Sequence, residues 1–141
     1  SRPVDVHVMG MQALGAEVKL EDGFIKAKVN GRLRGAEIDL GKITVTGTEN
    51  ILMASVLAEG ETVIMQAARE PEIEDLCICL NSMGANIQGF GTSTININGV
   101  AKLYKSNHKI VSDRIVAGTY IIAAVMLNYR FEIKNLNPNH L

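Results

Sequence analysis

The apolar positions of this chain fall into two rhythms that alternate along its length. Helical spacing covers residues 4–14 and 71–83, and each stretch stops at a glycine, Gly15 or Gly84, where helices commonly end. Alternation of period two follows each helix, at residues 17–20 and 24–29 around the turn Glu21-Asp22-Gly23, and again at 86–88 and 94–98. A loop then leads to a second helix, 48–58 or 114–127, and to a closing strand, 62–66 or 130–134. The order helix, hairpin, loop, helix, strand thus occurs twice.

The repetition reaches individual residues. Pro3, Pro71 and Pro138 stand 68 and 67 positions apart, each where a helix can begin. Leu14-Gly15-Ala16-Glu17-Val18 returns as Met83-Gly84-Ala85-Asn86-Ile87, and Val29-Asn30-Gly31 as Ile97-Asn98-Gly99. The second helix of each unit is apolar almost all round, which predicts that 48–58 and 114–127 are largely buried, whereas the strands alternate and expect a wet face. Helices inside and sheets outside satisfies both, within an α+β fold. Two such units make an unfinished ring, since repeats that bury their faces on neighbours usually need three copies, and the chain reads as a segment of something larger.

Composition narrows the function. Among 141 residues there are 14 basic and 15 acidic side chains, so no net field draws the chain to nucleic acid or to an anionic membrane. No apolar run reaches the roughly 20 residues that cross a bilayer, and the N-terminal residues lack a signal-peptide pattern, so a soluble, cytoplasmic protein is expected. Cys77 and Cys79 are two apart in a helix, a poor geometry for a disulfide, and no second pair completes a zinc site. At least one of them should be buried and inert, and no metal is expected.

Two constellations could carry chemistry. Lys42-Ile43-Thr44-Val45-Thr46-Gly47-Thr48-Glu49-Asn50 sets a cation and three hydroxyls before a helix, where backbone N–H groups attract anions. The lysine precedes the glycine, so this is no Walker loop. Its plain alternative is a threonine-rich turn with an N-cap at Thr46 or Thr48 and a solvated lysine. Arg2-Pro3-Val4-Asp5-Val6-His7 places an arginine, an acid and a histidine at a helix mouth; Arg2 could clamp a phosphate, or Asp5 could simply favour the helix dipole. The carboxylates of Arg69-Glu70-Pro71-Glu72-Ile73-Glu74-Asp75 read as a dipole-complementing first turn. Asp113-Arg114 reads as a helix cap, and His108 and His140 as surface residues.

These blocks also occur together, in order and spacing, in a known family. With Gly31-Arg32-Leu33-Arg34-Gly35-Ala36, Leu57-Ala58-Glu59-Gly60 and Ala67-Ala68-Arg69-Glu70-Pro71-Glu72-Ile73, the chain resembles the UDP-N-acetylglucosamine enolpyruvyl (1-carboxyvinyl) transferases over all 141 residues. The resemblance implies an inside-out α/β barrel of repeated helix and hairpin units, incomplete here, with residues 1–111 as the last two repeats of one lobe and 112–141 as the start of a second. It implies transfer of the enolpyruvyl group of phosphoenolpyruvate to the 3-hydroxyl of UDP-N-acetylglucosamine, the committed step of peptidoglycan synthesis, without a cofactor. Arg2 then neutralises phosphate, Pro3, Val4, Asp5 and Val6 match the segment that holds uracil, and Lys42, Ile43, Thr44 and Val45 match the segment along the diphosphate. Thr46 stands where some members carry glycine. The family's cysteine, which fosfomycin modifies, belongs to a loop before Ser1, so no catalytic residue is expected within these 141 residues and they alone are expected to be inactive. The alternatives are the shikimate-pathway enolpyruvyl transferase, which the uracil-type segment opposes, and a non-catalytic repeat module.

Overall fold

A computed structural model describes residues 4–141. It divides into two compact units, Ser1–His108 and Lys109–Leu141.

In the first unit, helix α1 (Asp5–Ala13) leads through Gly15 into the hairpin of β1 (Glu17–Glu21) and β2 (Phe24–Lys28), with Leu20 opposite Ile25. Asp22 and Gly23 both take positive φ, 54° and 79°, as a two-residue turn between twisted strands requires. The hairpin is exposed along nearly its whole length and on both faces, Leu20, Phe24 and Ile25 included, whereas alternation alone predicts one covered face: no described segment covers its apolar side at Leu20 and Ile25. Strand β3 (Glu37–Asp39), helix α2 (Val45–Ser55) and strand β4 (Glu61–Met65) follow. Helix α3 (Pro71–Ser82), with Pro71 in its first turn, then precedes the hairpin of β5 (Asn86–Gln88) and β6 (Thr94–Asn98). Helix plus hairpin therefore recurs as the repeat predicts.

The main sheet has the order β3-β4-β6-β5, parallel between β3 and β4 and antiparallel elsewhere. Its inner face presents Ile38, Thr62, Ile64, Ile95, Ile97 and Ile87, all buried, to the layer of α1, α2 and α3. Ile51, Leu52, Ile73, Cys77 and Leu14 complete this core. The outer face is polar at Glu37, Asp39, Glu61 and Asn98. Helices on one side and a wet sheet face on the other is the layering that the two hydrophobic rhythms imply.

Three expectations need correction. Strand β3 lies in a stretch read as loop: three residues are too short for a period, and a parallel pairing to β4 defines it. Helix α2 begins at Val45, and its cap is Thr44 rather than Thr46 or Thr48. Its buried side is Gly47, Thr48, Ile51, Leu52 and Ser55, while Met53 is 48 % exposed, so the helix is half covered rather than enclosed.

In the second unit, helix α4 (Arg114–Leu127) starts at Asp113, whose Oδ1 accepts the N–H groups of Ile115 and Val116, the cap foreseen from Asp113-Arg114. The helix ends at Asn128 in the left-handed conformation, and Tyr120 meets Phe131 edge-on at 6.4 Å. Its expected burial is not found: only Ala117 is buried, and Val125 is 77 % exposed. Residues 130–134 form no strand, since no described segment offers them a ladder partner. The helix expected at Pro138 is a single 3-10 turn, Pro138–His140. No described helix is long and apolar enough to cross a membrane.

Candidate functional site

The N-terminal turns of α1 and α2 meet. Gly47 makes this approach possible: a Cβ there would stand 2.5 Å from Thr44 Cγ2 and 3.0 Å from Val6 Cγ1. Around the junction the first turns carry N–H groups without intrahelical partners, a positive environment. At α2, Thr44 Oγ1 accepts from the N–H of Gly47 at 3.3 Å, and Thr48 Oγ1 donates to the carbonyl of Thr44 at 2.7 Å. Thr48 Oγ1 in turn accepts from the N–H of Ala68 at 3.1 Å, tying the helix start to the chain leaving β4.

The two predicted segments come together at this point. Lys42 Nζ lies 2.8 Å from Asp5 Oδ2, an ion pair open to solvent. The hydrogen bond from Lys42 holds the Asp5 carboxyl below its usual range; desolvation opposes it, and the lysine's charge and the backbone N–H groups of Asp5 and Val6 add to the lowering. Beside the pair is a shallow cleft of about 340 Å³ lined by Asp5, Val6, Met9, Leu40, Gly41 and Lys42. Val6 and Leu40 are buried and give it an apolar floor; Lys42 and Asp5 stand at its edge. Val4 precedes α1 with its side chain partly exposed, Ile43 is 61 % exposed, and Val45 is half-buried. Arg2 and Pro3 lie outside the described residues.

Chemically the arrangement offers a cation and a carboxylate at the edge of an apolar floor, with the start of α2 nearby, a combination that suits an anion attached to a flat ring. It offers no nucleophile. Cys77 is fully buried in α3 and its thiol is pushed up to about 12 by burial and, to a lesser degree, by the charge of Glu74, while Cys79 is half-buried. The described residues contain no cluster of histidine, cysteine and carboxylates that could hold a metal.

Sequence reasoning missed three contacts. His7 Nδ1 meets Asn50 Nδ2 at 2.9 Å, joining α1 to α2. His108, read as a surface residue, instead sits 2.9 Å from Asp75 with both side chains largely covered, because the segment after β6 folds back along α3. Asp39 and Gln66 were not singled out at all, yet they hydrogen-bond at the end of β3, beside the turn that carries Lys42. Only the parallel pairing of β3 with β4 brings these two residues near each other, and a separation of 27 positions hides it from a local reading.

Comparison with known proteins adds to this geometry. The chain is 57% identical over 141 residues to a UDP-N-acetylglucosamine 1-carboxyvinyltransferase of Coxiella burnetii and 52% identical to one of Koribacter versatilis, and spans 32% of the length of each. Among solved structures, the enolpyruvyl transferase NikO from Streptomyces tendae superposes with a TM-score of 0.76 at 21% identity, over 88% of this chain and 32% of that one. An EPSP synthase from Acinetobacter baumannii gives 0.66 at 25% identity, over 87% of this chain and 28% of that one. The model of the family described as EPSP synthase (3-phosphoshikimate 1-carboxyvinyltransferase) matches residues 1–141, and the chain belongs to that family.

Proposed function

We propose that this chain works within an enzyme of its relatives' length that transfers the enolpyruvyl group of phosphoenolpyruvate to the 3-hydroxyl of UDP-N-acetylglucosamine in peptidoglycan synthesis, in the cytoplasm, and that it supplies part of the nucleotide-sugar site. In this reading residues 1–111 are the end of one lobe and 112–141 the start of the other. Lys42 draws the diphosphate to the start of α2, Ile43, Thr44 and Val45 run beside it, and Thr44 keeps the helix start in shape. Pro3, Val4, Asp5 and Val6 face the uracil, and Arg2 neutralises phosphate. Oriented N–H groups and a lysine suit a diphosphate, and the apolar floor of Val6 and Leu40 suits a base.

The observation that carries this reading is the meeting of Asp5 and Lys42 at one cleft, in a chain 57% identical to a protein named for that reaction. The test is Lys42→Ala in the enzyme of full relatives' length. Loss of a charge-assisted hydrogen bond contributes on the order of 1.5–3 kcal/mol, so affinity for UDP-N-acetylglucosamine should fall roughly tenfold or more, with phosphoenolpyruvate less affected. Titration calorimetry showing unchanged nucleotide-sugar affinity would remove Lys42 from the site. Turnover with shikimate 3-phosphate in place of UDP-N-acetylglucosamine would redirect the assignment to the other acceptor.

A further inference from the structure

We propose that Asp39 and Gln66 are a positioning pair that fixes the turn presenting Lys42, and so sets nucleotide-sugar affinity without touching the ligand; this rests on the reading of the cleft given above. The turn from Asp39 to Thr44 is tied down at both ends to one short segment. At its start, a single oxygen, Asp39 Oδ1, accepts two hydrogen bonds, from the N–H of Gly41 at 2.9 Å and from Gln66 Nε2 at 2.7 Å. The backbone adds a third link, Leu40 N–H to the carbonyl of Met65 at 3.2 Å. At its end, Thr48 Oγ1 joins the carbonyl of Thr44 to the N–H of Ala68. Gln66–Ala68 thus holds both flanks of the loop while Lys42 projects between them.

The backbone at Gln66 points the same way. Its φ is 56°, left-handed, a conformation glycine takes freely and a residue with a side chain seldom takes. Such strain persists where surrounding contacts over-determine it, and here the side chain delivers its amide to Asp39. Gly41, whose N–H bonds the same carboxylate, has φ +66°, a left-handed turn that glycine takes freely and that redirects the chain towards Lys42. Asp39 and Gln66 are both exposed, so they add little to the core, and their removal should loosen the loop rather than the fold.

The experiment uses the enzyme of full relatives' length, with titration calorimetry, steady-state kinetics and thermal melting on each variant. Asp39→Ala and Gln66→Ala should each raise the Kd and KM for UDP-N-acetylglucosamine roughly 3–10-fold, the range of a net hydrogen bond, with kcat, the KM for phosphoenolpyruvate and Tm nearly unchanged. Asp39→Asn keeps an oxygen that can accept both bonds and should restore the affinity to within about twofold. Gln66→Gly removes the amide but relieves the backbone, so it should weaken the nucleotide-sugar without lowering Tm. Unchanged nucleotide-sugar affinity in Asp39→Ala, where Lys42→Ala does lower it, overturns the positioning role alone. A fall in Tm with both substrates equally affected also overturns it, in favour of a structural bond. If Lys42→Ala itself has no effect, the reading of the cleft fails and this proposal fails with it.

Discussion

Lys42 and Asp5, 37 residues apart, form an ion pair of 2.8 Å that bridges the starts of two helices. The pair stands in solvent, so its worth lies in orientation more than in stability, and added salt should weaken it. Its titration gives a test. Asp5 has a folded-state pKa below its ordinary one, so the stabilisation is present above the ordinary aspartate range and is lost as pH falls through the lowered value. At neutral pH the pair is formed. The carboxyl carbon of Asp5, followed by nuclear magnetic resonance in the 141-residue chain, should titrate below an ordinary aspartate and move up towards it in Lys42→Ala. An ordinary midpoint with Lys42 present would mean that the contact is not held in solution.

Thr62 offers a prediction about stability alone. Its hydroxyl is fully buried on the inner face of β4, and Oγ1 is the one buried side-chain polar atom among the described residues without a hydrogen-bond partner. Burying such a group costs roughly 1–3 kcal/mol, and valine fills nearly the same space without it. Thr62→Val should therefore raise the denaturant midpoint, by about 1 kcal/mol of stability. A lower midpoint would show that the hydroxyl has a partner in solution.

How much of this was legible depends on the reach of each interaction. Helices α1, α3 and α4 and both hairpins were readable because their signals are local: a 3.6-residue period, Pro71 at a helix start, Asp113 as a cap, Asp22-Gly23 as a turn. Strand β3 was not, because what makes Glu37–Asp39 a strand is hydrogen bonding to β4, some 26 residues on. The cap of α2 was misplaced within a run of three threonines, where only the backbone at Thr44, extended at φ −146°, shows which residue lies outside the helix. The segments Val4–Val6 and Lys42–Val45 could be singled out as chemistry, but their meeting at a cleft required the packing of α1 on α2. All-round apolarity misled for α4: it predicts burial, yet Ile122, Val125 and Leu127 are exposed, because a helix is buried only where other segments pack on it and here only Ala117 is buried.

The two cysteines should differ sharply in reactivity. Cys77 is fully buried between α3 and the sheet, and burial together with the charge of Glu74 raises its thiol to about 12, so almost no thiolate exists at pH 8. Cys79 is only half-buried on the same helix. Alkylation of the native chain at pH 8, read by mass spectrometry, should modify Cys79 first and leave Cys77 intact until denaturant is added. Equal labelling rates would mean that α3 opens far more readily than its packing allows.

Gly47 is where stability and the site meet, and Gly47→Ala should damage both. In an unobstructed helix the change would stabilise by up to about 1 kcal/mol, since glycine is the poorer helix former. Here the new Cβ would lie 2.5 Å from Thr44 Cγ2 and 3.0 Å from Val6 Cγ1, distances that force something to move. Rotating Thr44 relieves the first clash but takes its Oγ1 off the N–H of Gly47, and an N-cap contributes on the order of 1 kcal/mol. Shifting α1 relieves the second but moves Val6, and with it Asp5, away from Lys42. Overpacking of this kind typically costs about 1–3 kcal/mol, which outweighs the gain in propensity. The expected result is a lower denaturant midpoint, together with an Asp5 carboxyl that titrates closer to an ordinary aspartate as its partner is displaced. A variant as stable as the parent, with Asp5 unchanged, would show that the two helix starts have room between them and that glycine is not what brings Asp5 and Lys42 into contact.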